Sequence, residues 1–282
     1  MKLFIIKTIF FLITFIFFTN VYSAGFYITQ LATPGSVGTA GVINVTNTFS
    51  ADSAWTNPAA MTALNDEYTL GQGVQILFPK MEFNSSIAEA GGSDGGNAGE
   101  AAPIPSLFLV KKISDKARVG FSIVGSAGGG MDYGDDFVGR YQVTEALLEG
   151  MSLSTSLGYK VDENLSLGAG LSFVYTNFNQ TVAVQSPIPA TADGEAEFED
   201  LNDWEVQPFL GLTYQINDRL LLGVLYRAEF DAELEGDLKF KNVSIPSATD
   251  DDMRIDWTNP QVLEIGLQYR LNNEYLLFTN LN

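Results

Sequence analysis

The sequence contains no histidine and no cysteine among its 282 residues. Without histidine, the Ser-His and Cys-His pairs that activate a nucleophile in many hydrolases cannot form, and no GxSxG motif is present. Without cysteine, a disulfide framework, a thiolate metal site and a lipid-modified cysteine are also excluded. These absences favour a protein that is not an enzyme, and nothing in the sequence requires a metal or an organic cofactor.

Basic residues are scarce, since 15 Lys and Arg face 34 Asp and Glu, and the net charge is −19. Nucleic-acid binding is therefore disfavoured, because phosphate contacts need Lys and Arg. The acids concentrate in predicted loops, for example at 193–200 and 250–252. Clustered carboxylates bind hard cations, so Asp250, Asp251 and Asp252 are candidate calcium ligands, although the EF-hand spacing is missing. The alternative is a solvated outer surface within a lipopolysaccharide layer rich in divalent cations.

A long apolar run occurs only at the start of the chain. Lys2 and Lys7 give a positive beginning, Leu3–Phe18 is apolar, and the small Ser23 suits a cleavage site, which together predict a secretory signal peptide at 1–23. The run is shorter than the roughly 20 residues of a membrane helix. Cleavage leaves 13 basic and 34 acidic residues, a net charge of −21. Residence in a membrane would then require a closed barrel, because lipid does not tolerate unpaired backbone groups.

One hairpin motif occurs four times in the sequence. The copies are KKISDKARVG, YKVDENLSLG, YQINDRLLLG and YRLNNEYLLF, starting at positions 111, 159, 214 and 269. Each copy ends one predicted strand, turns through short polar residues and begins another. The copies lie 48, 55 and 55 residues apart, which fits two long strands and one long opposite loop per period.

Strict alternation marks the strands beside these corners. In 151–160, Met, Leu, Thr, Leu and Tyr share one face, whereas Ser, Ser, Ser, Gly and Lys share the other. The strands run ten residues or more, longer than the roughly 5–6 residues usual in soluble proteins. Apolar-out alternation, short turns on one side and long loops on the other are typical of a transmembrane β-barrel.

The sequence therefore predicts an all-β fold, an antiparallel transmembrane β-barrel over 67–282, of which about nine strands are present. The ninth predicted strand stops partway, so we expect the barrel to be incomplete at the C-terminus. The predicted strands are 67–83, 104–112, 117–127, 150–160, 164–181, 202–215, 219–241, 257–270 and 275 onward, with short corners at 113–116, 161–164, 216–219 and 271–274 and long loops at 84–103, 126–150, 182–201 and 242–256.

Residues 24–66 differ in character, being rich in small residues and nearly free of charge. A disordered tail would carry more charge, whereas this stretch contains sparse aromatic residues, among them Phe49 and Trp55. We expect it to be a compact plug, or hatch, inside the barrel lumen.

Several motifs resemble those of the FadL/TodX (OMPP1) family of outer-membrane transporters for long-chain fatty acids or aromatic hydrocarbons. They are the Ala24-Gly25-Phe26 start, the ADSAWTNPAAM stretch at 51–61, the FVGRY stretch at 137–141 and the hairpin at 159–175. The resemblance covers nearly the whole mature chain. It implies a monomeric 14-stranded barrel blocked by an N-terminal hatch, with an outer groove that captures ligand and a lateral exit beside a kinked third strand.

Site residues follow from the motifs and the resemblance together. Asn57, Pro58 and Ala59 form a rigid turn, which the family implies is part of the gate. In the third strand, Gly120 and Gly125, followed by 128–130, could weaken the pairing and permit the bend; the alternative is that they only mark the end of the strand.

The predicted loop after the third strand supplies a candidate ligand groove. Helical spacing places Phe137, Val138 and Tyr141 on one side, with Leu147 and Leu148 near enough to extend it. Packing against the barrel rim is the alternative.

Arginine is the residue suited to a ligand carboxylate. Arg140 is one head-group candidate, with Asp135, Asp136 or Glu145 as competing internal partners. Arg227 is the other, because it is predicted to face the lumen among acids. The residues predicted by alternation to face the lumen are Glu205, Gln207, Arg227, Glu229, Glu264 and Gln268.

The expected function is outer-membrane uptake of hydrophobic compounds, foremost long-chain fatty acids, by ligand-gated diffusion. Uptake of aromatic hydrocarbons or alkanes, a general porin and an adhesin remain alternatives. The expected partners are hydrophobic small molecules and the lipid and lipopolysaccharide of the outer membrane.

Overall fold

The computed structural model describes residues 32–85, 91–188, 191–272 and 274–281. The predicted signal peptide and the Ala24-Gly25-Phe26 start lie outside the described residues. Two short α-helices and two 3-10 helices precede eleven strands. Their bounds are α1 Pro34–Thr39, 3-10 helices Asn44–Thr46 and Pro58–Ala63, α2 Ser53–Thr56, β1 Tyr68–Leu77, β2 Ala102–Lys112, β3 Ala117–Asp132, β4 Glu145–Lys160, β5 Leu165–Val184, β6 Gly194–Asn217, β7 Leu220–Arg227, β8 Phe230–Lys241, β9 Asp251–Asn259, β10 Val262–Arg270 and β11 Leu276–Leu281.

All strands belong to one antiparallel sheet in which β1 to β7 are neighbours in chain order, followed by β10 and β11. The β8–β9 hairpin attaches to β6 and continues the course of β7 and β10. In the described residues, β1 pairs only with β2 and β11 only with β10, so the sheet is an open barrel wall.

Each predicted corner has the same local cause. A side-chain oxygen of Ser114, Asp162, Asn217 or Asn272 accepts hydrogen bonds from the backbone N–H groups two and three residues later. Such Asx and Ser turns satisfy backbone donors that the ladder leaves open. In the turn at Asp162, the bonds from Asn164 and Leu165 hold the pKa of the carboxyl below its usual range. These side chains explain why the hairpin motif recurs.

Several predicted strand boundaries are wrong. β1 ends at Leu77, before the predicted end at 83, while β3 and β4 reach into the predicted loop 126–150 and β6 begins inside the predicted loop 182–201. The predicted strand 219–241 is interrupted at Ala228 and Glu229, and β9 begins at Asp251, inside the predicted loop 242–256. A second interruption lies between β9 and β10, where Pro260 has no N–H for the ladder. The eleven strands therefore trace nine courses through the sheet, two of them broken.

We call the face that contacts the N-terminal segment the inner face. Gly168 and Ser166 of β5 and Ser156 of β4 approach that segment, whereas Leu157 and Leu167 on the opposite phase are exposed. The predicted alternation is confirmed here, with apolar side chains outward and small polar ones inward.

Candidate functional site

The N-terminal segment, residues 32–66, packs on the inner face of the sheet. Its Trp55 and Met61 are buried together with Phe108 and Val124 of the wall. Within the segment, the buried Asp52 carboxylate accepts hydrogen bonds from Thr33, at 2.9 Å, from Asn47, at 2.6 Å, and from Ser50. Because neutral donors inside the segment satisfy this charge, the segment behaves as a compact unit.

Asn57 connects that unit to the wall. Its Nδ2 donates to the carbonyl of Val45 at 2.6 Å within the segment, and to the carbonyls of Leu212 and Val224 in β6 and β7 at 3.2 and 3.4 Å. Its Oδ1 accepts from Ala59 N at 3.1 Å and so caps the 3-10 helix, where Pro58 takes the first position. All three predicted gate residues are fully buried between segment and wall.

A row of glycines makes room for this turn. Gly158, Gly168 and Gly211 are direct cross-strand partners on β4, β5 and β6. A Cβ at any of the three would overlap backbone or side-chain atoms of Asn57, Pro58 or Ala59. The wall therefore accepts the turn only because side chains are missing at these positions.

Two buried arginines also contact the segment. Arg118, 3% exposed, donates from Nε and Nη2 to the carbonyl of Leu64 at 3.0 and 2.8 Å. Arg227 is 0% exposed and donates to the carbonyl of Trp55. In this arrangement its guanidinium lies against the segment and has no solvent-exposed surface.

The polarity of the wall inverts between its two ends. We call the end with the short turns the corner half and the end with the long loops the loop half. In the corner half, exposed apolar residues such as Leu157 and Leu210 cover the outer face. In the β8–β9 hairpin of the loop half, the exposed outer positions are mostly charged, namely Asp231, Glu233, Glu235, Asp237, Asp252, Arg254 and Asp256. Charged side chains do not favour contact with lipid, so the outer face of this hairpin lies beyond the hydrocarbon region.

The inversion arises where the alternation changes phase. Asp200 in β6 has a left-handed φ of 54°, and the pairing of β6 shifts register there. The two strand interruptions, at Ala228 between β7 and β8 and at Pro260 between β9 and β10, have the same effect. After each of them, the alternation of inward and outward side chains is shifted by one residue. Glu229 is consequently exposed, and its predicted lumen-facing position is wrong. Gln207, Arg227, Glu264 and Gln268 are buried as the alternation predicts.

Apolar side chains cover the inner face of the loop half, and we call them the loop-half cluster. Sequence reasoning missed them. The available signal was Val174 and Phe178, which lie on the same phase of β5 as Ser166 and Ser172. The members are Val174, Leu201, Phe230, Ala232 and Leu234, with Phe178, Phe198, Met253, Ile255 and Trp257 packed against them.

The predicted groove is only partly assembled. Residues 133–144 form turns and no helix, because backbone contacts with the distant residues 91–99 shape this loop. Phe137, 4% exposed, stacks on Tyr133 with ring centroids 4.2 Å apart and meets Phe83 edge-on at 5.4 Å. Val138 and Tyr141 are half-buried beside it. These contacts match the alternative of packing at the barrel rim.

Leu147 and Leu148 do not extend that groove. Both lie in β4, on opposite faces, since successive strand residues point to opposite sides. Leu148 is buried, whereas Leu147 lines a cavity of about 470 Å³ together with acidic residues such as Glu145 and Glu197.

Arg140 fastens three loops together. Its Nε donates to Asp193 at 3.3 Å, and its Nη1 donates to the carbonyls of Gly91 and Phe137 at 3.0 and 3.3 Å. The hydroxyl of Tyr141 donates to the same Asp193 oxygen at 2.7 Å. The Tyr141 hydrogen bond, the Ser186 N–H and Arg140 hold the pKa of Asp193 below its usual range. The internal ion-pair partner of Arg140 is thus Asp193, a residue that the sequence did not single out.

The ladder between β2 and β3 ends early. Their pairing stops at Ser106 and Val124, although β2 stays paired with β1 as far as Ala102. A cavity of about 490 Å³, lined in part by Pro105 and Ile123, lies at this point. The pairing of β3 with β4 shifts register between Gly125 and Ala127, whereas Gly128–Gly130 remain paired with β4.

Neither a membrane helix nor a metal cluster accompanies the wall in the described residues. No helix in that part of the chain is long and apolar enough to cross a membrane. Across the same residues, no three or more Asp or Glu side chains are placed to hold a metal ion, and this includes Asp250–Asp252.

These features define the class as an antiparallel transmembrane barrel wall with an N-terminal segment seated on its inner face. Residues 15–282 match the family described as outer membrane protein transport protein (OMPP1/FadL/TodX). The chain therefore belongs to this family of outer-membrane transport proteins, which are not enzymes.

Known relatives and solved structures are consistent with this family. A long-chain fatty acid transport protein of Salmonella typhi is 25% identical over 254 residues, which cover 82% of this chain and 58% of the relative. The chain thus spans little more than half the length of that protein. The crystal structure of a Pseudomonas aeruginosa FadL homologue matches with a TM-score of 0.74 at 22% identity, over 91% of this chain and 69% of that one. The Pseudomonas putida toluene transporter TodX matches with a TM-score of 0.62 at 16% identity, over 93% and 70%.

Proposed function

We propose that the protein takes up hydrophobic compounds across the outer membrane, with long-chain fatty acids as the first cargo, and that residues 24–66 act as a hatch. The observation that supports this proposal is the way in which the N-terminal segment is held on the inner face of the wall. Asn57, the glycine row and the two buried arginines hold a compact unit against the inner face by specific contacts, beside the apolar contacts of Trp55 and Met61. A unit with its own internal hydrogen bonds can leave such a seat without unfolding.

The loop-half cluster suits the cargo. A fatty acid gains about 0.8 kcal/mol for each methylene that it buries, so an apolar inner face beyond the lipid captures it readily. Release is then the harder step, and the early end of the β2–β3 ladder is the proposed lateral exit. The acidic outer face of the β8–β9 hairpin lies in the lipopolysaccharide layer in this proposal. We expect the protein to work as a monomer.

Aromatic hydrocarbons are the second candidate cargo. The same cluster contains Phe178, Phe198, Phe230 and Trp257, whose rings favour edge-on or offset contacts with an aromatic ligand. A hydrocarbon needs no head-group site, whereas a fatty acid gains from a cation such as Arg140, provided that its carboxylate displaces Asp193.

The absence of native cysteine permits a direct test. A Cβ built on Gly71 in β1 would lie 3.5 Å from the Cβ of Ala51 in the segment, within the range of a disulfide. The full-length variant Ala51→Cys/Gly71→Cys should form a bond that fixes the segment to the wall. We expect uptake of labelled oleate to stop under oxidation and to return with reductant, in cells that lack their own long-chain transporter.

The two single-cysteine variants are the controls and should transport in both conditions. Toluene measured alongside separates the cargoes, since uptake of toluene without oleate would favour the second candidate. Unchanged oleate uptake by the fully oxidised pair would show that the hatch need not move. Free passage of small sugars through the wild-type protein would favour a porin instead.

A further inference from the structure

We propose that Arg227 is the latch that keeps the hatch seated, and that it is not a carboxylate-binding residue. The inference rests on the hatch role proposed above. It concerns the side chain that sequence reasoning offered as a head-group site, and it assigns that side chain to the closed state of the gate.

The guanidinium of Arg227 is held between two aromatic rings. Its central carbon lies 4.4 Å from the ring centroid of Trp55 in the segment and 4.6 Å from that of Phe209 in β6. Its Nη2 donates to the backbone carbonyl of Trp55. Stacking and hydrogen bonding thus join the same wall residue to the same hatch residue. A desolvated cation over an aromatic face, combined with a charged hydrogen bond, is among the stronger contacts available in a protein.

Moving the hatch would remove half of this arrangement. Arg227 would keep the Phe209 ring but lose both the Trp55 ring and the Trp55 carbonyl. Both lost contacts are made by a buried charged group, so each is stronger than the corresponding contact of a neutral side chain. The stacking and the hydrogen bond between Arg227 and Trp55 therefore favour the closed state.

Arg118 also donates to the segment, but at a point closer, along the chain, to the wall than the point that Arg227 contacts. It donates to the carbonyl of Leu64, only four residues before the first residue of β1. The chain there is covalently tied to the wall, so Arg118 holds a point that hatch motion displaces little. Trp55 lies further from that tether, where displacement is larger. Of the two buried arginines, Arg227 is the one placed to resist opening.

The position of the latch also connects it to the loop-half cluster. Arg227 is the last residue of β7, and Phe230 of the cluster begins β8. Between them, Ala228 donates to the carbonyl of Pro208 at 3.0 Å and accepts from Gln207 at 2.8 Å. A ligand packed against Phe230 would lie three residues along the chain from the latch, and it would favour opening if it bound the open arrangement more tightly.

The test uses a single-cysteine reporter. Thr56→Cys places a thiol beside Trp55 at a position that is 2% exposed, and the natural chain has no competing cysteine. Labelling of intact cells with a membrane-impermeant maleimide then reports how often the hatch leaves its seat. We expect Arg227→Met to accelerate labelling by roughly ten- to a hundredfold, as judged from the contacts that are lost.

Arg118→Met is the matched control, since it removes another buried guanidinium that donates to the segment. It should leave labelling of the Thr56→Cys thiol near the rate seen with both arginines present. Equal acceleration by Arg118→Met would show a general packing defect and overturn the latch. Unchanged labelling in Arg227→Met, with the barrel folded as judged by its resistance to unheated detergent, would also overturn it.

Arg227→Lys keeps the inference testable if the Met variant fails to assemble. Lysine retains the charge but lacks the planar fork that stacks on both rings, so labelling should be faster than with arginine and slower than in any neutral variant. Labelling of Arg227→Lys at the rate seen with arginine would contradict the role of the stacked guanidinium. The assay needs no cargo, so its failure would leave the transport proposal to the disulfide experiment.

Discussion

The oxygen and nitrogen ends of the Asn57 side chain do different work, and a pair of substitutions separates them. Oδ1 caps the 3-10 helix within the segment, whereas Nδ2 reaches the carbonyls of Leu212 and Val224 in the wall. Asn57→Ala removes both ends. Asn57→Asp keeps an oxygen for the cap, because Asp is as good an N-cap residue as Asn, but replaces the donor with a second acceptor.

The magnitude follows from the two wall contacts. At about 1 kcal/mol for each hydrogen bond, Asn57→Ala weakens the seat by about 2 kcal/mol. Since 1.4 kcal/mol is a factor of ten, the displaced hatch should become roughly 30-fold more populated. Asn57→Asp should do at least as much harm. Its carboxylate would lie buried against carbonyl oxygens with no donor between them, and the cost of an unsatisfied buried charge exceeds that of a lost bond.

Two measurements report how tightly the N-terminal segment is held against the wall in each variant. They are the leakage of a large polar antibiotic into cells and the hydrogen exchange of residues 44–64. We expect both variants to leak, with Asn57→Asp equal to or worse than Asn57→Ala. A harmless Asn57→Asp beside a leaky Asn57→Ala would assign Asn57 to the helix cap alone. If neither variant leaked, the wall contacts of Asn57 would not hold the hatch.

Two further outcomes are expected. Gly168→Val should unseat the hatch in the same leakage assay, because a Cβ there overlaps Pro58 and Ala59, whereas Ala169→Val on the outward phase should not. The ion pair of Arg140 and Asp193 should break in acid, because the pKa of Asp193 is lowered in the folded protein. Such a carboxyl contributes stability above its unfolded pKa, about 3.9, and that contribution is lost as pH falls through the folded pKa. Hydrogen-exchange protection in 185–188 and 191–193, corrected for the intrinsic exchange rate, should therefore fall only below about pH 4, and Asp193→Asn should remove this dependence.

The sequence was most informative where local chemistry decides the structure. The four corners follow from Asx and Ser side chains that bond their own neighbouring N–H groups, and no distant partner is needed. The alternation of the corner half follows from lipid on one side and the segment on the other. The Asn57-Pro58-Ala59 turn was located for a related reason, since Asn caps and Pro starts the short helix that follows.

Predictions from the sequence were wrong where residues far away in the chain determine the local structure. A single bulged residue inverts all later side chains of a strand, and Asp200 and Glu229 show that such a shift leaves no clear mark in composition. The loop at 133–144 has helical spacing but takes its shape from residues 91–99 and from Asp193. Apolar residues on the polar phase of β5, Val174 and Phe178, were the one visible sign of the loop-half cluster.

The inversion of polarity supports the lateral exit proposed above. An apolar molecule on the inner face of the loop half meets the hatch as it moves toward the corner half, where the inner face is small and polar. The apolar surface of the corner half lies on the outer face, in contact with lipid. A passage straight through the lumen would therefore lose the transfer energy of each methylene, whereas a passage through the wall keeps it. The unpaired end of the β2–β3 ladder shortens that second route, because few backbone hydrogen bonds remain to be broken there. Restoring them should slow the uptake of an apolar cargo even when the hatch is free to move.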